Sequence, residues 1–155
     1  MMRLFSKKPH SHLSDAERSR VLEAIRQAER NTTGEIRVFV ESRCKFVDAY
    51  DRAKELFFQL EMEQTIHHNA VLIYVATKDQ QIALCADQDI FEKTKLDHLY
   101  WSQLIQDAKV FFKKDELGNG IAHIILKLGE VLHTHYPIGD SENPNELPDD
   151  IIFGD

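Results

Sequence analysis

The apolar positions first recur at helical spacing: Val21, Leu22, Ile25 and Ala28 return every three or four residues. Ser14-Asp15-Ala16-Glu17 stands before them as a capping box, in which the serine hydroxyl and the later glutamate satisfy free amides at a helix start. A first helix is therefore predicted to about Arg30, where Asn31-Thr32-Thr33-Gly34 stops it. The period then changes. Residues 35–41 (EIRVFVE) alternate and are rich in β-branched side chains, which predicts a strand. Asp48 caps a second helix with a buried stripe of Ala49, Ala53, Leu56, Phe57 and Leu60. Residues 70–77 (AVLIYVAT) are nearly all apolar, the pattern of a strand covered on both faces. The polar link Lys78-Asp79-Gln80-Gln81 and the short apolar run 82–86 (IALCA) make the second and third strands a hairpin.

Two more helical stripes follow, Trp101, Leu104, Ile105, Ala108, Phe111 and Phe112, then Ile121, Ile124, Ile125, Leu128, Val131 and Leu132. Residues 113–120 (KKDELGNG) separate them, with Gly118-Asn119-Gly120 read as a turn, and Pro137 ends the last helix. The order helix, strand, helix, hairpin, helix, helix makes the first two strands parallel through a crossover. The predicted fold is α/β, a small mixed β-sheet (parallel crossover plus hairpin) sandwiched between helices. Its domain spans 14–138, between a flexible basic arm at 1–13 and an acidic tail at 139–155. Within that tail Ile151, Ile152 and Phe153 form an apolar plug. Ordering about a dozen tail residues costs more backbone entropy than burying the plug returns, so the tail is expected to be mobile and its plug held for a partner.

A chain of 155 residues makes one core, and 43% hydrophobic with 29% charged residues is an ordinary globular balance. The net charge of -7 opposes binding to a phosphate backbone, so no nucleic-acid partner is expected. Cys44 and Cys85 form no CxxC pair, the first residues lack a signal-type apolar core, and no long apolar run occurs. A cytoplasmic protein without an integral membrane segment is expected, its oligomeric state open and a monomer favoured.

Topology locates the candidate chemistry. With the first two strands parallel and the third running back, Glu35, Asn69 and Asp87 share one edge, Asp89 follows closely, and Thr33 and His68 flank it. These are hard oxygen donors from separate segments, suited to Ca²⁺ or Mg²⁺ as a cofactor. The alternative is that Asp87 caps the next turn and Asn69 binds a loop backbone. His67-His68 and His133/His135 have poor chelating spacing, and His10 and His12 lie in the arm, so structural zinc is not expected. The chain contains no GxSxG, P-loop or GxGxxG, and Cys85 inside an apolar strand reads as buried and inert. Tyr100-Trp101 reads as core.

The runs 33–38 (TGEIRV), 68–75 (HNAVLIYV) and 83–93 (ALCADQDIFEK), with the closing LHTHYP at 132–137 and LPDD at 147–150, resemble stand-alone bacterial TPM-domain proteins. The resemblance extends from about Ser14 to the C-terminus and implies an α/β sandwich around a small sheet. It also implies divalent-metal binding, and functions among phosphatases, photosystem-repair factors and partners of membrane proteins. Where such domains often carry a Gly-rich stretch after the third strand, this chain has Ala86-Asp87-Gln88-Asp89, which does not suit a phosphate cradle. The expected function is a divalent-metal-binding interaction or adaptor module with a protein partner, in protein maintenance or membrane-protein-complex assembly. The alternative is a metal-dependent acid phosphatase, with no catalytic residue assigned.

Overall fold

The computed structural model describes residues 13–46, 48–94, 98–138 and 150–154. The element order is α1 (Asp15–Glu29), β1 (Glu35–Glu41), α2 (Ala49–Gln59), β2 (Ala70–Ala76), β3 (Gln81–Ala86), α3 (Gln88–Thr94), α4 (His98–Lys113), α5 (Leu117–His135) and β4 (Ile151–Phe153). The mixed sheet has the order β3-β2-β1-β4, with β1 parallel to β2 and β4 and only the β2–β3 pair antiparallel. Helices cover both faces. Ile36, Val38 and Val40 of β1 point with Val71, Ile73 and Val75 of β2 into the core shared with α1, α4 and α5. Phe39, Leu72 and Tyr74 point the other way, onto Ala53, Leu56 and Phe57 of α2. The period-two burial of both faces explains why β2 reads as a continuous apolar run and is buried throughout.

The helix starts form as their residues dictate. Glu17 N donates to Ser14 Oγ and Ser14 N to Glu17 Oε1, both at 3.1 Å, completing the capping box. Asp48 Oδ1 accepts from Tyr50 N at 2.9 Å at the start of α2.

Three expectations are corrected. Gly118-Asn119-Gly120 is not a turn before α5 but lies inside it. Its amide Gly118 N donates to Glu17 Oε2 at 2.7 Å, and a Cβ on Gly118 would sit 2.6 Å from Glu17 Cβ, so the glycine lets α1 and α5 approach. The chain after β3 enters a short helix, α3, which the sequence pattern does not announce. Ile151–Phe153 is the edge strand β4, not a plug held for a partner: Val38–Val40 pair with it, and Gly154 N donates to Val40 O at 2.7 Å. Ile151 and Phe153 are buried beside β1, and the sheet's main-chain bonds add what the entropy argument left out. The basic arm falls outside the described residues except for Leu13, which is buried, and the tail outside them between 139 and 149. No described helix is long and apolar enough to cross a membrane.

Candidate functional site

The strand register assembles the expected edge. Glu35 stands opposite Ala70, and Val71 opposite Ala86, so the first residue of β1, the residue before β2 and the residue after β3 lie side by side. Main-chain bonds lock them: Glu35 N donates to Asn69 O at 3.3 Å and Asp87 N to Ala70 O at 2.9 Å. Glu35 and Asn69 are 0% exposed and Asp87 8%, an uncommon degree of burial for these residue types.

Asn69 is oriented from two sides. Its amide donates to Thr65 Oγ1 at 3.3 Å and its Nδ2 to Thr33 Oγ1 at 3.1 Å. Its Oδ1 is buried with no hydrogen-bond donor among the described residues. His68 just before it takes a left-handed backbone, φ 50°, which brings Nδ1 to 3.4 Å from Asp87 Oδ2. Asp87 Oδ1 caps α3, accepting from Gln88 N at 2.7 Å, as the capping alternative expects for that oxygen. Its Oδ2 is buried and receives no hydrogen bond among the described residues.

Asp89 sits in the first turn of α3 with a different set of neighbours. Its Oδ2 accepts from Tyr136 OH at 2.6 Å and lies 3.4 Å from Lys93 Nζ, which stands 4.5 Å from the centre of the Tyr136 ring. The Tyr136 hydrogen bond, then Lys93 and the charge of His68, hold the Asp89 carboxyl below the ordinary carboxylate range against a smaller opposing effect of burial. Burial, then Asp89, pushes the Tyr136 phenol above its usual value. Tyr136 was missed in the sequence because its contact spans the fold. It follows the last turn of α5, where its carbonyl accepts from Thr33 N at 3.0 Å and Thr32 Oγ1 at 2.7 Å, tying the end of α5 to the start of β1.

Other candidates are placed apart. His133 Nδ1 lies 2.7 Å from Asn31 O, and among the described residues no group of three or more His, Cys, Asp or Glu could hold a metal by itself. Tyr100 and Trp101 are half-buried and pack edge-to-face on each other beside the core. Both cysteines are free, and burial pushes the Cys85 thiol up to about 11, so it is protonated at neutral pH and a poor nucleophile.

The fold is shared with proteins of known structure. BA42 from the psychrophilic bacterium Bizionia argentinensis is 33% identical, with 90% of this chain and 93% of that one covered and a TM-score of 0.78. Two more distant structures show the fold alone. The N-terminal domain of the cg2496 protein from Corynebacterium glutamicum is 11% identical, covers 84% of this chain and 88% of its own, and has a TM-score of 0.60. The N-terminal domain of a protein from P. gingivalis is 18% identical, covers 80% and 78%, and has a TM-score of 0.64. No curated protein matches the chain. The family model of the TPM domain matches residues 7–131, from the N-terminal arm to the penultimate turns of α5. With most of its length matched in this way, the chain belongs to the TPM domain family.

Proposed function

We propose that the chain is a divalent-metal-binding interaction module, with Ca²⁺ or Mg²⁺ held at the strand edge by Asn69 and Asp87, joined by Glu35 and Asp89. One observation carries this reading: Asn69 Oδ1 and Asp87 Oδ2 are buried on the same edge and accept no hydrogen bond among the described residues, with His68 Nδ1 3.4 Å from the latter. Each such acceptor costs about 1–3 kcal/mol unless a partner arrives. A hard cation is a partner for both, and a set of carboxamide and carboxylate oxygens suits calcium or magnesium. Since no three acidic or imidazole groups converge among the described residues, main-chain and water oxygens would complete the shell, as is usual for these ions. Thr33 and Thr65 hold Asn69 in place, and the start of α3 holds Asp87. Binding at Asp89 would set the ion against the Lys93 ammonium now beside it.

In this reading the module works in the cytoplasm through a protein partner, in protein maintenance or membrane-protein-complex assembly. A metal-dependent phosphatase is the second reading, because the matching family model bears a phosphatase name. A bound divalent ion would supply positive charge for a phosphoryl group or for activating water. The protonated Cys85 offers no thiolate to that reaction.

Amide spectra during a titration with Ca²⁺ or Mg²⁺ test the site. Shifts are expected around Glu35, Asn69, Asp87 and Asp89, and Asp87→Asn should weaken them at least tenfold. Shifts confined to Glu142, Glu146, Asp149 and Asp150 would reduce the effect to net charge and sink the reading. Phosphomonoester hydrolysis that follows the protein through purification, and disappears in Asp87→Ala, would move the assignment to the phosphatase.

A further inference from the structure

Between α2, the end of β3 and α3 runs an open groove of about 660 Å³. Its walls carry Tyr50, Phe58 and Phe91, which are 43%, 54% and 48% exposed, with Phe57 edge-to-face against Phe58 beneath. Single exposed rings need no explanation, but several along one groove make a contiguous apolar surface of the kind that marks a binding site. The charged groups in the lining are unbalanced. Glu63, Asp87 and Glu92 face the groove with Lys54 as its one lysine or arginine among the described residues, and His68, also in the lining, stands 3.4 Å from Asp87. Glu63 Oε2 is buried and accepts no hydrogen bond among the described residues, and Asp87 Oδ2 has only the 3.4 Å contact with His68 Nδ1 among them. Among the described residues Glu92 is held by Gln88 alone, at 3.2 Å on α3 itself.

Aromatic faces attract cations, and carboxylates without donors need them. We propose that this groove receives a basic peptide segment of a protein partner. An arginine of the segment lies over the exposed rings and donates to Glu63, and a neighbouring large apolar side chain packs on Phe58 and Phe91. Guanidinium fits both demands, since it stacks on aromatic rings and donates in a planar fork. Charge decides against other occupants. A second copy of this chain brings another net charge of -7, and a fatty-acid carboxylate would meet the carboxylates of the lining.

The test is a titration of the whole chain, kept in chelator, with an acetylated and amidated peptide of arginine and phenylalanine, followed by amide spectra. Chelator makes the result independent of the metal reading, whose failure would leave it unchanged. Shifts are expected around Phe58, Glu63 and Phe91. Glu63→Gln should weaken binding about tenfold, the loss for one charge-assisted hydrogen bond. Phe58→Ser, at a position 54% exposed, should weaken it severalfold. The proposal is overturned if shifts fall elsewhere, or if a peptide of glutamate and phenylalanine or decanoate binds as well. It is equally overturned if both variants bind normally, or if the groove shifts appear with protein concentration alone, which would make a second copy the occupant.

Discussion

At the scale of single residues, a tight polar unit lies at the other end of the sheet from the candidate site. Glu41, 5% exposed at the last position of β1, accepts from Arg52 Nε at 3.0 Å and Arg52 Nη2 at 3.1 Å, and from the Tyr74 hydroxyl. The Arg52 guanidinium also stands over the rings of Phe39 and Phe46. The bidentate pair fastens α2 to β1 across a mostly apolar layer. Glu41→Ala leaves the partly buried guanidinium with Glu55 alone, at 3.3 Å, and should destabilise the fold by about 1.5–3 kcal/mol, read as a lower urea midpoint. Glu41→Gln should cost less, because one acceptor oxygen remains. In the sequence Glu41 is only the polar end of an alternating strand, and nothing local names Arg52 as its partner. Burial also raises the pKa of Cys85 to about 11, and burial with Glu41 raises that of Tyr74. Both groups fold as neutral species, so their contribution is present below their unfolded pKa values and is lost as pH rises through the folded ones. Stability should therefore fall above about pH 9, and Cys85→Ala should flatten the decline between about 9 and 11, measured by urea unfolding across that range.

At the scale of elements, the packing of α1 on α5 depends on small residues. A Cβ on Gly129 would lie 2.7 Å from Ala28 Cβ and 2.9 Å from Ala28 Cα, so the backbone of α1 itself is the obstacle. Alanine gains about 1 kcal/mol of helix propensity over glycine. Overpacking a fixed helix pair costs about 1–3 kcal/mol, and the obstacle cannot rotate away, so Gly129→Ala should be net destabilising. A urea midpoint at or above that of the parent chain would contradict this. The longer elements are legible in the sequence because helical or alternating spacing persists over several turns or residues. The capping box at Ser14 and the cap at Asp48 place the starts of α1 and α2 at the right residue. What escapes reading is short. The α3 helix has 7 residues and the β4 strand 3, too few for any period to emerge, and β4 sits among acids that read as tail. The start of α5 escapes because its glycines serve contact with α1, whereas in isolation they read as a turn.

At the scale of the whole molecule, the candidate edge was legible because strand direction alone brings Glu35, Asn69 and Asp87 together. Its surroundings were not. Tyr136 reaches Asp89 from the far end of α5, and the groove aromatics Tyr50 and Phe58 lie off the buried stripe that identifies α2. Large apolar residues on the nominally polar side of that helix were the available signal. Asp87 borders both the strand edge and the groove, so the two proposed ligands are coupled through one carboxylate. Saturating calcium should lower the affinity for the arginine peptide severalfold, and the peptide should lower calcium affinity by the same factor, which paired titrations can measure. A peptide affinity that calcium leaves unchanged would mean that the two ligands are not coupled through Asp87.

The pairing of β4 with β1 also bears on how the protein is made. Val38 to Val40 leave the ribosome more than a hundred residues ahead of the strand that will cover them. During that interval β1 can pair with β2 on one side, while its other edge offers unsatisfied main-chain groups to any extended chain nearby. The nascent protein therefore passes through a stage in which a ready-made edge waits for Ile151 to Phe153, and chaperones that shield extended segments would act on this stage rather than on the finished fold.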